Sequence, residues 1–79
     1  MIFLWHVTHV AYNAKDGFSL IPSVFTNEEE ALSRFAEMKK NAKATLFNWK
    51  NTVDTKDTFT MESPTHTCIT MIKLTKDII

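Results

Sequence analysis

The chain has 79 residues, of which 44% are apolar, with nine basic and nine acidic side chains and a formal net charge of zero. This length has room for one small hydrophobic core, so we expect a single domain over residues 1–79. An ordinary apolar fraction without net charge disfavours wholesale disorder. Balanced charge also disfavours bulk binding to nucleic acid. A single cysteine cannot form an internal disulfide, which favours a reducing compartment, and we expect a cytoplasmic protein.

The first segment, residues 2–12, is rich in β-branched and aromatic residues and predicts a β-strand with apolar side chains on both faces. It is short and is interrupted by His6 and His9, which is unlike a signal peptide or a membrane span. We therefore expect no membrane association.

A hairpin is predicted after this strand, because the only glycine, Gly17, follows Asp16 where the backbone needs a positive φ. The second arm would cover residues 18–25. Pro22 has no N–H to donate, so this arm is expected at a sheet edge or as an extended crossing segment.

A helix is predicted to begin at Thr26, because Thr26 and Glu29 have the spacing of a capping box. Acidic residues occupy its first turn and lysines its later turns, the order that the helix dipole favours. Its apolar stripe would pack on the sheet. The stripe comprises Ala31, Leu32, Phe35, Met38, Ala42 and Leu46. We expect the helix to end near residue 48, although residues 45–53 also fit a period of two.

The last third predicts two strands, residues 52–62 and 65–75, joined by a turn at Ser63 and Pro64. Residues 77–79 are expected to fray. The predicted fold is α+β: a two-layer sandwich in which an antiparallel sheet of three or four strands carries one helix on one face, with the element order ββαββ or βαββ.

Three histidines and one cysteine are the residues that could support metal binding or catalysis. His6 and His9 lie three positions apart on a strand and point to opposite faces, whereas His66 and Cys68 share a face. A metal site of His66, Cys68 and a histidine of the first strand would require those strands to be neighbours, and no paired-cysteine or His-x-x-x-His spacing supports it. A Cys68 nucleophile with His66 or His6 as its base is not accompanied by a glycine-rich oxyanion loop. We expect neither a metal nor a cofactor, and no enzyme.

The lysines late in the helix suggest a second kind of partner. Lys39, Lys40, Lys43 and Lys50, together with Phe47 and Trp49, could hold phosphates while a ring stacks on a base. A solvated helix face explains the same residues without a ligand. The acidic run at residues 28–30 could mimic nucleic-acid phosphates, and helix-start electrostatics explain it equally.

The nine aromatic residues are more than a core of this size easily encloses. We expect some of them to be exposed as anchors of an interface, since aromatic residues are enriched among such anchors. The candidates are Trp5, Tyr12, Phe18, Phe47 and Trp49.

The sequence therefore favours a non-enzymatic protein-interaction module. It would be either a homodimer through the sheet or an edge strand, or a compact inhibitor or adaptor from a bacterium or phage. The alternative is a nucleic-acid-binding protein that uses the lysines and adjoining aromatic residues.

Overall fold

The computed structural model describes residues 3–78 and contains one five-stranded antiparallel sheet and one helix. In chain order the elements are β1 (Phe3–Asn13), β2 (Gly17–Phe25), α1 (Glu28–Thr45), β3 (Lys50–Asp54), β4 (Thr58–Glu62) and β5 (Cys68–Ile78). The strands lie in the order β2-β1-β5-β4-β3. The α+β class and the antiparallel sheet are confirmed, whereas the expectation of three or four strands is wrong, since the element order is ββαβββ.

Strands β1 and β2 form the predicted hairpin, in register from Trp5 opposite Phe25 to Asn13 opposite Gly17. Gly17 has φ of 85°, in the region that glycine occupies without strain. The Asn13 side-chain oxygen accepts a hydrogen bond from the Lys15 N–H at 2.8 Å, which fixes the turn. Strand β2 lies at the sheet edge, where a proline is tolerated because its missing N–H can face solvent instead of a neighbouring strand.

The N-cap of the helix lies one residue later than predicted. Asn27 is the N-cap, and its side-chain oxygen accepts hydrogen bonds from the N–H groups of Glu29 (2.8 Å) and Glu30 (3.3 Å). The expected cap, Thr26, lies outside the helix. An asparagine side chain caps a helix at least as well as threonine, so the adjacent Asn27 takes the position.

The helix also ends earlier than residue 48. It stops at Thr45, whose hydroxyl donates to the Asn41 carbonyl at 2.8 Å, and the Trp49 N–H then donates to the Leu46 carbonyl at 2.9 Å. This turn directs the chain back along the sheet, and Trp49 packs against the core.

The predicted strand over residues 52–62 is divided in two by a turn at residues 55–57. The Thr55 N–H donates to the Thr58 carbonyl at 2.8 Å, and the Thr55 hydroxyl accepts from the Thr58 N–H at 3.1 Å and contacts Asp57 Oδ1 at 3.0 Å. Such side-chain to backbone hydrogen bonds stabilise turns without glycine or proline. The division produces the additional strand.

The last strand begins and ends later than predicted. Residues 63–67 form a loop in which Ser63 Oγ accepts from the N–H groups of Thr67 (3.2 Å) and Cys68 (3.0 Å). Strand β5 then continues to Ile78, which pairs with Phe3, so the frayed end expected at residues 77–79 is wrong as far as Ile78. Residue 79 lies outside the described part.

The buried core joins the helix to one face of the sheet. The helix contributes Ala31, Phe35 and Ala42, and the sheet contributes Val7, Phe59, Met61 and Ile72. Phe59 and Ile72 are direct cross-strand neighbours, so their side chains lie on the same face. We call this the core face and the opposite one the outer face. Within residues 3–78 no helix has both the length and the apolar character needed to cross a bilayer.

Candidate interaction surface

The outer face carries two rows of apolar side chains that run across three neighbouring strands. In one row Leu20, Val10 and Met71 are direct cross-strand neighbours on β2, β1 and β5. In the next row Phe18, Tyr12 and Ile69 occupy the equivalent positions two residues away. Side chains alternate between faces along a strand, so all six point away from the core. We call these six residues the apolar patch.

Much of the apolar patch is exposed to solvent. The exposed fraction is 72% for Phe18, 56% for Leu20, 41% for Tyr12 and 36% for Ile69. Val10 and Met71 are half-buried between them. Single exposed apolar residues are ordinary on protein surfaces, but a contiguous cluster is typical of a binding surface.

On the outer face, the strands carry equal numbers of basic and acidic side chains. Two are basic, Lys50 and Lys73, and two are acidic, Glu62 and Asp77. Lys50 lies directly opposite Glu62 across β3 and β4, and His6 Nε2 lies 2.9 Å from Asp77 Oδ2. The outer face therefore presents an apolar patch beside a polar region without a dominant sign of charge.

Both edges of the sheet are poor sites for adding another strand. On β2, Pro22 lacks the N–H that a continuous ladder requires. On the other edge, β3 has only five residues, and its register with β4 shifts between Asn51 and Val53. Short, irregular or proline-containing edges oppose edge-to-edge pairing.

Two lysines of the helix are directed towards an acidic residue on the core side of the sheet. Lys39 Nζ contacts Asp54 Oδ1, and Lys43 Nζ lies 3.5 Å from Asp54 Oδ2. Both ammonium groups also lie over the Phe59 ring, at 5.7 and 5.5 Å from its centroid. The hydrogen bond from Lys39, with the positive charges of Lys39 and Lys43, lowers the pKa of the Asp54 carboxyl, although partial desolvation opposes this.

Three of the four lysines proposed as a basic patch, Lys39, Lys40 and Lys43, line one open depression on the helix, whereas Lys50 lies apart from them. Lys39 and Lys43 contact Asp54, and Lys50 lies on the outer face opposite Glu62. Lys40 is exposed on the helix. The contacts of Lys39 and Lys43 with Asp54 weaken the case for a phosphate-binding site, because such a site needs several cations whose charge is not already neutralised.

The five candidate aromatic anchors divide among three places. Tyr12 and Phe18 belong to the apolar patch. Trp5 and Trp49 are half-buried and pack against the core, and Phe47 is 79% exposed in the connection between α1 and β3. Sequence reasoning missed the aliphatic members of the patch. The signal that could have found them is the period-two alternation in each strand, which places Leu20 with Phe18 and Met71 with Ile69.

The histidines and the cysteine are dispersed. Among the described residues, no three side chains of His, Cys, Asp or Glu converge as metal ligands. His6 is on the outer face and His9 on the core face, beside the helix. His66 lies in the loop between β4 and β5, where Nδ1 contacts Glu62 Oε1, and Cys68 is half-buried at the start of β5. The imidazole of His66 is thus directed to a carboxylate.

A depression of about 400 Å³ lies on the core side of the hairpin end, between Ser19, Trp49 and Cys68. It is open to solvent, and the titratable side chains among its lining residues are Tyr12, Asp16 and Cys68. No protein-family model, no curated protein and no solved structure matches the chain.

Proposed function

We propose that the chain is a non-enzymatic protein-interaction module, built as a two-layer α+β sandwich whose outer face binds a protein. The observation that carries this proposal is the pair of apolar rows across β2, β1 and β5. They are not covered by the helix, which packs on the opposite face. A small cytoplasmic protein of a bacterium or phage, acting as a homodimer or as a compact inhibitor or adaptor, would use such a face.

The size of the apolar patch is compatible with binding of moderate affinity. Its four most exposed side chains, Tyr12, Phe18, Leu20 and Ile69, present on the order of 400 Å² to water, judged from their exposed fractions and the ~150–250 Å² that such side chains bury. At about 25 cal/mol per Å², removing this surface from water contributes about 10 kcal/mol before the entropy and ordering costs of association. After these costs are subtracted, the remaining free energy can correspond to a dissociation constant in the micromolar range.

A protein partner is favoured over nucleic acid by the charges. A phosphate-binding surface needs an excess of lysine and arginine, whereas the strands of the outer face carry two basic and two acidic side chains. The helix lysines support the alternative less well, because Asp54 neutralises part of the charge of Lys39 and Lys43. The alternative predicts that the chain binds single-stranded nucleic acid and that its affinity falls steeply as the salt concentration rises.

Site-specific photo-crosslinking tests the proposed function. A photoreactive amino acid replaces Leu20 in one variant and Ile21 in another, in cells that naturally make the protein. The two positions are adjacent on β2 and are exposed to similar extents, 56% and 59%, but they point to opposite faces. We expect protein adducts from position 20 and few from position 21. Equal yields at both positions, or none at position 20, would contradict the proposed function.

A further inference from the structure

We propose that the partner of the outer face is a second copy of this chain, packed face to face through the apolar patch. The inference rests on the proposed function and specifies its partner. Two copies would be related by a two-fold axis lying in the interface, which brings the same patch of both subunits together. The two sheets would pack about 10 Å apart, with a helix on each outside surface.

The charge distribution is compatible with self-association. Lys50 and Lys73 balance Glu62 and Asp77 on the outer face, so a second copy brings no excess of like charge. A surface specialised for a strongly acidic or basic partner would carry the complementary sign. Near the two-fold axis the contacts would be apolar, because the two rows of the patch contain no charged residue.

The area of the outer face approaches what a dimer needs. Five strands spaced ~4.8 Å apart are about 24 Å wide, and a paired length of about seven residues spans ~23 Å. The projected face is thus roughly 550 Å² per subunit, or about 1,100 Å² in total, near the lower end of stable protein interfaces. We therefore expect a dimer with a dissociation constant in the micromolar range.

The shape of the single chain also favours a second layer on the outer face. The molecule measures 45 × 23 × 16 Å and has a radius of gyration of 13.3 Å. A compact domain of this length has a radius of gyration of about 12 Å. The chain is therefore an extended slab one sheet and one helix thick, and a second copy on the uncovered face would double the apolar layer that the sheet can bury.

Analytical ultracentrifugation of the purified protein over a concentration series tests the inference, with Leu20→Glu as the disrupting variant and Ile21→Glu as its matched control. The wild-type mass should rise from 9.1 kDa towards twice that value as concentration increases. Leu20→Glu should weaken self-association by at least about tenfold, since a buried unpaired carboxylate costs more than 1.4 kcal/mol. Ile21→Glu, on the other face, should dimerise like the wild type.

Circular dichroism checks that each variant is folded. If Leu20→Glu does not fold, Phe18→Glu replaces it, because Phe18 is the more exposed residue and contributes less to the monomer. A wild type that stays monomeric to about 1 mM, at which a micromolar dimer is almost fully formed, overturns the inference. Equal weakening by the Leu20 and Ile21 variants overturns it as well.

The crosslinking experiment separates failure of this inference from failure of the proposed function. A monomeric wild type whose position 20 crosslinks to a different protein retains the interaction module and overturns the second copy. A monomeric wild type without adducts at position 20 overturns both. An adduct of two copies of the chain, formed at position 20 and not at position 21, supports both.

Discussion

Asp54 links the helix to the outermost strand β3 through its contacts with Lys39 and Lys43. The hydrogen bond from Lys39 and the two positive charges hold the pKa of the Asp54 carboxyl below its ordinary value of 3.8. A carboxyl whose folded pKa is lowered contributes stability above the unfolded pKa, and the contribution is lost as the pH falls through the folded pKa. Residues 50–54 are all exposed, and the contacts of Asp54 with Lys39 and Lys43 connect them to the helix.

Asp54→Asn should lower the free energy of unfolding at neutral pH, and the difference from the wild type should shrink as the pH falls below 3.8. Urea unfolding at a series of pH values measures both effects. Lys39→Gln removes the first contact of Asp54 and should flatten the same part of the pH profile. A difference between Asp54→Asn and the wild type that is constant over the whole pH range would contradict this role.

Asn27→Ala should destabilise the protein by about 1 kcal/mol, because the N–H groups of Glu29 and Glu30 lose the side-chain oxygen that accepts their hydrogen bonds. The matched control is Thr26→Ala, at the exposed neighbouring position, for which we expect a change within about 0.5 kcal/mol. Chemical denaturation measures both. A larger loss of stability in Thr26→Ala than in Asn27→Ala would indicate that Thr26, and not Asn27, caps the helix.

At the scale of elements, the helix packs on the sheet through two small residues with one aromatic residue between them. Ala31 is completely buried and Ala42 is 8% exposed, on either side of Phe35. Because protein interiors are densely packed, we expect a larger side chain at the fully buried Ala31 to displace the helix. Ala31 therefore belongs to the buried core that joins α1 to the sheet.

Ala31→Leu should therefore cost about 1–3 kcal/mol through overpacking. Ala36→Leu places the same side chain on the exposed side of the same helix and should leave the stability within about 0.5 kcal/mol of the wild type. Thermal unfolding of the three proteins provides the comparison. Similar melting temperatures for all three would mean that α1 is not packed as closely as described.

The sequence predicts the elements well where one local signal dominates. Asp16 and Gly17 mark the hairpin, and Pro22 marks an edge strand, because glycine and proline restrict the backbone directly. The prediction fails after residue 45, where Trp49 fits both a helical and an extended period and no glycine or proline ends the helix. The turn at residues 55–57 was missed for the same reason, since its hydrogen bonds come from Thr55 and Asp57.

The candidate surface was predicted only in part, because its composition depends on strand order. Tyr12 and Phe18 face each other across a hairpin that the sequence predicts, so local pairing brings them together. Ile69 and Met71 join them only because β5 pairs with β1, a contact between residues almost 60 positions apart in the chain. Hydrophobic periodicity identifies the face on which a side chain lies, but it does not identify neighbouring strands.

At the scale of the whole molecule, the helix and the apolar patch divide the sheet into two differently used faces. The core face supplies stability through seven buried apolar residues among those described. The outer face retains exposed aromatic and aliphatic side chains. The two sheet edges do not favour pairing with another strand, because β2 contains Pro22 and β3 pairs irregularly with β4. Association through a face, rather than through an edge, is the arrangement that these features favour.

The most direct test of this account is a dilution series followed by NMR of methyl groups in the protein. The methyl signals of Leu20, Val10 and Ile69 should shift with concentration, and those of Ile21 and Leu32, which are exposed outside the apolar patch, should not. Shifts restricted to the apolar patch are the result that the account predicts. Shifts centred on the helix or on the edge of β3, or none at concentrations near 1 mM, would contradict it.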